Sequence, residues 1–167
     1  MYFDYTLIIY YIVMEKYVVD TCVVAKIFID TEKHVDKAVA LYDLAYDEKA
    51  ELMAPSLIWY ELGSVFSKMQ MPREKSEENF AEFQEQIRMG IIKIIHPSLE
   101  LINKTDEIAN MDTQGQGYIS SFDATFHALA LLKEAIFITA DEKHIRKVQK
   151  IKELSDSIQF LGGLFVE

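Results

Sequence analysis

The chain has 167 residues, half of them apolar, 12% aromatic and 26% charged, with one cysteine and a net charge of −10. That length supports one domain with a core that needs no covalent staple, and the lone Cys22 excludes both an intrachain disulfide framework and a cysteine-cluster zinc site while fitting a reducing cytoplasm. The acidic balance argues against a broad electrostatic grip on nucleic acid, but it leaves room for phosphate contact through metal ions held by carboxylates.

Residues 1–13, MYFDYTLIIYYIV, stand apart. The apolar run Leu7–Val13 is too short to cross a bilayer. No basic segment precedes it, and no small-residue cleavage site follows it. We read an N-terminal extension, either an added edge strand or a disordered stretch, ahead of one domain at 14–167, with neither signal peptide nor membrane anchor. Tyr17-Val18-Val19 predicts a buried strand that ends at Asp20, and Thr21 to about Ile29 a short helix. Thr31 is a candidate N-cap for a helix with Val35, Ala38, Val39, Leu41, Tyr42 and Ala45 on its apolar stripe. Leu52-Met53-Ala54 reads as a strand, and Pro55 suits the first turn of a helix running to about Gln70.

Arg73–Arg88 is amphipathic: Phe80, Phe83 and Ile87 lie on one face, glutamates on the other, and Gly90 closes it. Ile91–Ile95 predicts a strand, Ser98–Met111 a helix, and Asp112–Gly117 a loop. Ser120–Glu134 predicts a long apolar helix and Ala135–Thr139 a strand. Asp141–Ile151 predicts a helix with Ile145, Val148 and Ile151 inward, and Ile158–Phe160 a last strand. Short, uniformly apolar strands alternating with helices predict an α/β fold: a three-layer α/β/α sandwich around a mainly parallel sheet.

In such sheets the site lies beyond the carboxyl ends of the strands. Asp20 and Asp141 stand there. Glu61 and Asp123 lie within otherwise apolar helical runs. Singly, each has a plain explanation: a helix cap, a macrodipole contact or an exposed helix position. Together they form a candidate cluster, whose mutual repulsion a hard cation such as Mg²⁺ or Mn²⁺ relieves.

With these segments in order (Tyr17-Val18-Val19-Asp20-Thr21, the helix around Glu61-Leu62, Phe122-Asp123-Ala124 and Ile138-Thr139-Ala140-Asp141) the chain resembles the PIN-domain family of metal-dependent ribonucleases, and within it the VapC-like toxins of VapBC toxin–antitoxin pairs. The resemblance spans about Met14 to Phe165. It implies that Asp20, Glu61, Asp123 and Asp141 are the catalytic, metal-holding residues, that the cofactor is Mg²⁺ or Mn²⁺, and that the substrate is single-stranded or looped RNA. It also implies an antitoxin partner and a homodimer. Thr21 and Thr139 flank the acids as candidate hydrogen-bond donors to them or to a water, with helix capping and packing as the competing reading.

His127 lies one turn after Asp123 on the same helical face, within reach of a carboxylate or a metal-bound water; simple packing is the competing reading. His34, His96 and His144 have no spacing that suggests a site. Lys143, Arg146, Lys147 and Lys150 form a basic run suited to guiding an RNA backbone toward the acids, or else a solvated helix face. Cys22 lacks a histidine nearby in sequence and sits in an apolar helix, which argues against a thiolate nucleophile.

Two further classes compete: a PIN-like nuclease of RNA processing or DNA repair, and an inactive partner-binding α/β domain. A phosphoryl-accepting receiver lacks its early acid pair here. A haloacid-dehalogenase-like phosphatase lacks its second Asp, because position 22 is Cys. No glycine-rich phosphate loop is present.

Overall fold

The computed structural model describes residues 14–29 and 33–165. The extension at 1–13 and the proposed cap at Thr31 lie outside them. The described elements are β1 (Glu15–Val19), α1 (Thr21–Phe28), α2 (Val35–Tyr46), β2 (Ala50–Pro55), α3 (Ile58–Lys68), α4 (Arg73–Arg88) and β3 (Ile92–Ile95). They continue with α5 (Leu99–Ala109), α6 (Ser121–Leu132), β4 (Ile136–Thr139), α7 (Glu142–Val148), α8 (Lys152–Ser155) and β5 (Ile158–Phe160).

The five strands make one sheet in the order β3-β2-β1-β4-β5, and every pairing is parallel. The sheet is the centre of a three-layer α/β/α sandwich, as the alternation predicts. Val18, Val19, Leu52, Phe137 and Ile138 are almost fully buried, because a strand covered on both faces has no polar side. Each such side chain contributes roughly 1.5–3 kcal/mol of burial. Helix α6 packs against β1, β2 and β4 through an Ala/Phe/Leu surface in which Ala124, Phe126, Ala128, Leu129 and Ala130 are buried.

Three expectations shift. Pro55 closes β2 instead of opening a helix. The β1–β2 ladder ends at Met53, so the proline sits where only β3 is still paired and its missing N–H costs little. In α2, Val39 is exposed, and Ala38, Leu41 and Tyr42 make the seam. In the segment after β4, the fully inward positions are His144 and Val148, whereas Ile145 and Ile151 are only half-buried. That helix also stops at Val148, and α8 begins at Lys152. Gly90 follows α4 with φ +78°, the left-handed geometry that a Schellman-type stop requires, and the N–H of Ile91 bonds the carbonyl of Gln86.

Candidate active site: an acid cleft at the switch point

Strand order runs outward from β1 in one direction through β2 and β3, and in the other through β4 and β5. The reversal falls between β1 and β4, which is where a doubly wound sheet opens a crevice at its carboxyl edge. Asp20 follows β1 and Asp141 follows β4 by two residues, so the topology brings both acids to that crevice. Glu61 from the first turn of α3 and Asp123 from the first turn of α6 face the same opening. All four line one cleft of about 440 Å³, together with Thr21, Cys22 and Lys68.

Hydrogen bonds separate the capping explanation from a functional one, acid by acid. The Asp20 side chain makes no cap to α1. Its Oδ2 accepts instead from the Thr139 hydroxyl at 2.6 Å and from the Cys22 thiol at 3.2 Å. Asp141 does cap α7, with Oδ1 accepting from the Lys143 N–H at 2.8 Å. Ser120 is the N-cap of α6 and also holds Asp123: its hydroxyl accepts from the Asp123 N–H at 3.1 Å and donates to Asp123 Oδ2 at 2.7 Å. Glu61 accepts from the Thr21 hydroxyl at 2.6 Å. Thr139, fully buried, is the tie between the strand ends, because its oxygen also accepts the N–H of Asp141 at 3.0 Å.

Burial pushes the Asp20 carboxyl above its ordinary range and Asp123 adds to the rise, while Thr139 and Cys22 oppose it. Glu61 is raised in the same way, first by burial and then by Asp20 and Asp123. Both shifts thus come first from burial, to which the neighbouring acids add. The Cys22 thiol is pushed well up by burial and by Asp20. It therefore stays protonated, in keeping with its rejection as a nucleophile.

Two sequence expectations change here. His127 does not reach a carboxylate. It is fully buried behind the cleft, with Nε2 against the carbonyl of Leu154 at 3.1 Å and the hydroxyl of Ser157 at 3.0 Å. His144, which the spacing left without a partner, is the residue next to the acids. It is 1% exposed, its Nε2 lies 3.3 Å from His127 Nδ1, and its Nδ1 lies 3.9 Å from Asp123 Oδ2. Burial lowers both imidazoles, His127 to about 3. The signal that finds His144 is its place one turn after Asp141 on the inward stripe with Val148, a pairing that becomes visible only once α6 and α7 are known to pack together.

A hard divalent cation suits this donor set of four carboxylates, in which burial disfavours the charged forms of Asp20 and Glu61. Among the described residues, no group of three or more His, Cys, Asp or Glu is placed closely enough to hold a metal ion as it stands. The basic run is largely exposed along and just beyond α7, with Lys147 Nζ lying 5.8 Å from the centre of the exposed Tyr118 ring.

The fold and cleft define a class: a doubly wound parallel α/β domain with carboxylates gathered at its switch point. The chain belongs to the PIN domain family, whose model matches residues 17–151 and whose members are generally nucleases. Among solved structures it is similar to VapBC2 from Rickettsia felis bound to a promoter DNA fragment, at 18% identity and TM-score 0.61 over 87% of this chain and 98% of that one. It is also similar to DNA-bound VapBC from Salmonella typhimurium (14% identity) and FitAcB from Neisseria gonorrhoeae (12%), each with TM-score 0.61 over 89% of this chain and 99% of the other. No curated protein matches the sequence significantly. None of the described helices is long and apolar enough to cross a membrane.

Proposed function

We propose that this protein is a Mg²⁺- or Mn²⁺-dependent endoribonuclease and the toxin of a VapBC-type pair. The observation that carries the reading is the convergence of Asp20, Glu61, Asp123 and Asp141 on one cleft, with Asp20 not spent on capping. These residues would hold the cation. Once bound, it lowers the pKa of a water and offsets charge on the phosphate during in-line displacement. Thr139 fixes Asp20 relative to the Asp141 backbone, and Thr21 fixes the Glu61 carboxylate. The Lys143–Lys150 run receives the RNA backbone at the cleft's margin. No side chain is needed as a covalent nucleophile.

The protein partner we propose is an antitoxin, in keeping with the VapBC and FitAcB assemblies of similar fold. The homodimer we propose uses an apolar groove of about 260 Å³ lined by Leu57, Ile95, Leu101, Ile102 and Phe122, beside the exposed Leu99. Size-exclusion chromatography with light scattering tests it. Incubating the purified protein with a mixed RNA pool, with and without EDTA, tests the central reading. Cleavage abolished by chelator and restored by Mg²⁺ or Mn²⁺ is expected. Cleavage indifferent to EDTA removes the metal mechanism, and inertness across metals favours the partner-binding alternative.

A further inference from the structure

The strongest unexplained feature is His144 Nδ1, a buried nitrogen with no hydrogen-bond partner beside the carboxylates. Its chemical form follows from the atoms behind it. The Leu154 carbonyl can only accept. The Ser157 hydroxyl has its own acceptors, the carbonyls of Glu153 at 3.0 Å and Leu154 at 3.1 Å, so its oxygen is free to accept as well. His127 Nε2, at 3.1 Å and 3.0 Å from these two oxygens, therefore carries the proton. A neutral imidazole has one N–H, so His127 Nδ1 is a lone pair. The ring nitrogen 3.3 Å from it, His144 Nε2, must then be the donor. That leaves His144 Nδ1 unprotonated and turned toward the acids.

A lone pair and a carboxylate oxygen 3.9 Å apart are two acceptors, neither of which can donate to the other. The separation is too long for a hydrogen bond. It lies below the roughly 4.2 Å that spans two donors on opposite sides of one first-row divalent cation with bonds of about 2.1 Å. Resting on the metal-nuclease reading, we propose that His144 Nδ1 is a further donor of the metal centre. It would add a nitrogen to a set otherwise composed of carboxylates and tilt the site from Mg²⁺ toward the first-row transition-metal ions, whose affinity for nitrogen donors rises along the series that begins with Mn²⁺. His127, the Leu154 carbonyl and Ser157 then serve to fix the tautomer, as outer partners of metal-bound histidines do.

The test reads nitrogen and not activity. Purified protein loaded with Mn²⁺ is examined by electron spin-echo envelope modulation, unlabelled and with ¹⁵N-histidine. The proposal expects a directly bonded nitrogen coupling that changes with the label. In His144→Gln, which keeps a donor to His127 but removes Nδ1, the coupling should disappear and Mn²⁺ affinity should fall about 10- to 100-fold, with Mg²⁺ affinity falling less. The wild-type spectra decide the matter even if that variant folds poorly. Bound Mn²⁺ without a histidine coupling overturns this inference and leaves the metal reading intact. Failure to bind Mn²⁺ at millimolar concentration overturns both.

Discussion

The two sides of the cleft are built differently. On the strand side, Asp20 and Asp141 emerge where β1 and β4 stop, and Thr139 bonds both the Asp20 carboxylate and the Asp141 backbone. The Asp20 N–H is itself held by the Ile138 carbonyl at 3.0 Å. On the helix side, Glu61 and Asp123 project from first turns and are held by single hydroxyls, those of Thr21 and Ser120. The strand side thus inherits its precision from the backbone ladder. The helix side depends on rotamers, and a carboxylate on such a side can adjust to a ligand. Substitutions should therefore cost most at the strand ends.

The largest effect is expected at Asp20. Asp20→Asn should lower the cleavage rate at least about 100-fold, measured under saturating Mg²⁺ or Mn²⁺. Metal-free, the variant should melt at or above the wild-type temperature, because it removes a repelled charge while preserving shape. The pH dependence has a defined sign. A carboxyl raised in the folded state has its full stability below the unfolded value near 3.8, and that stability is lost as pH rises through the folded pKa. The melting advantage of Asp20→Asn in EDTA should accordingly widen as pH climbs from below 4, and excess metal should reverse it in favour of wild type. A variant that melts clearly lower in EDTA, with neither protein responding to metal, makes Asp20 structural.

Thr139 comes next. Thr139→Val keeps the volume but strands the Asp20 carboxylate and the Asp141 N–H. We expect a stability loss of roughly 1–3 kcal/mol by thermal melt and a 10- to 100-fold loss of activity. Thr139→Ser should recover most of both. If valine and serine behave alike, the hydroxyl tie is not what sets the strand side. On the helix side, Glu61→Gln still accepts from Thr21, and the activity loss should be about tenfold. A loss equal to that of Asp20→Asn erases the proposed difference between the two sides.

The fold was legible because its signals are local. Short β-branched runs such as Tyr17-Val18-Val19 and Ile136-Phe137-Ile138 carry their burial in their composition, and turn chemistry such as Gly90 marks element ends. The four acids were legible because Glu61 and Asp123 interrupt apolar helical runs and Asp20 and Asp141 end apolar strands. What stayed hidden depends on which helices touch. His144 reads as one histidine among four until α7 is laid against α6. Cys22 reads as helix core until β4 brings Thr139 and the Ala140 N–H to its sulfur, the latter at 3.2 Å. Pro55 misled because a proline after an apolar stretch suits a strand end beyond its ladder as well as a helix start.

The smallest expected effect belongs to the exposed run on α7, and it concerns binding and not chemistry. Lys143 touches the site only through its backbone N–H on Asp141, a bond that alanine keeps. Lys147 lies over Tyr118 at the surface, a contact worth about 0.5–1 kcal/mol at most. Lys143→Ala with Lys147→Ala should therefore leave the fold and the acids in place. A phosphate contact made equally in the ground and transition states raises KM and leaves kcat unchanged. Each lost contact to single-stranded RNA also lowers the steepness of log Kd against log salt by about 0.7, so the double variant should show a slope smaller by up to about 1.4. Fluorescence anisotropy with a short labelled RNA, across a salt series in Ca²⁺ or EDTA to prevent cleavage, measures this directly. An unchanged slope with unchanged KM returns the run to ordinary solvated helix surface, and leaves RNA positioning to the cleft wall around Lys68.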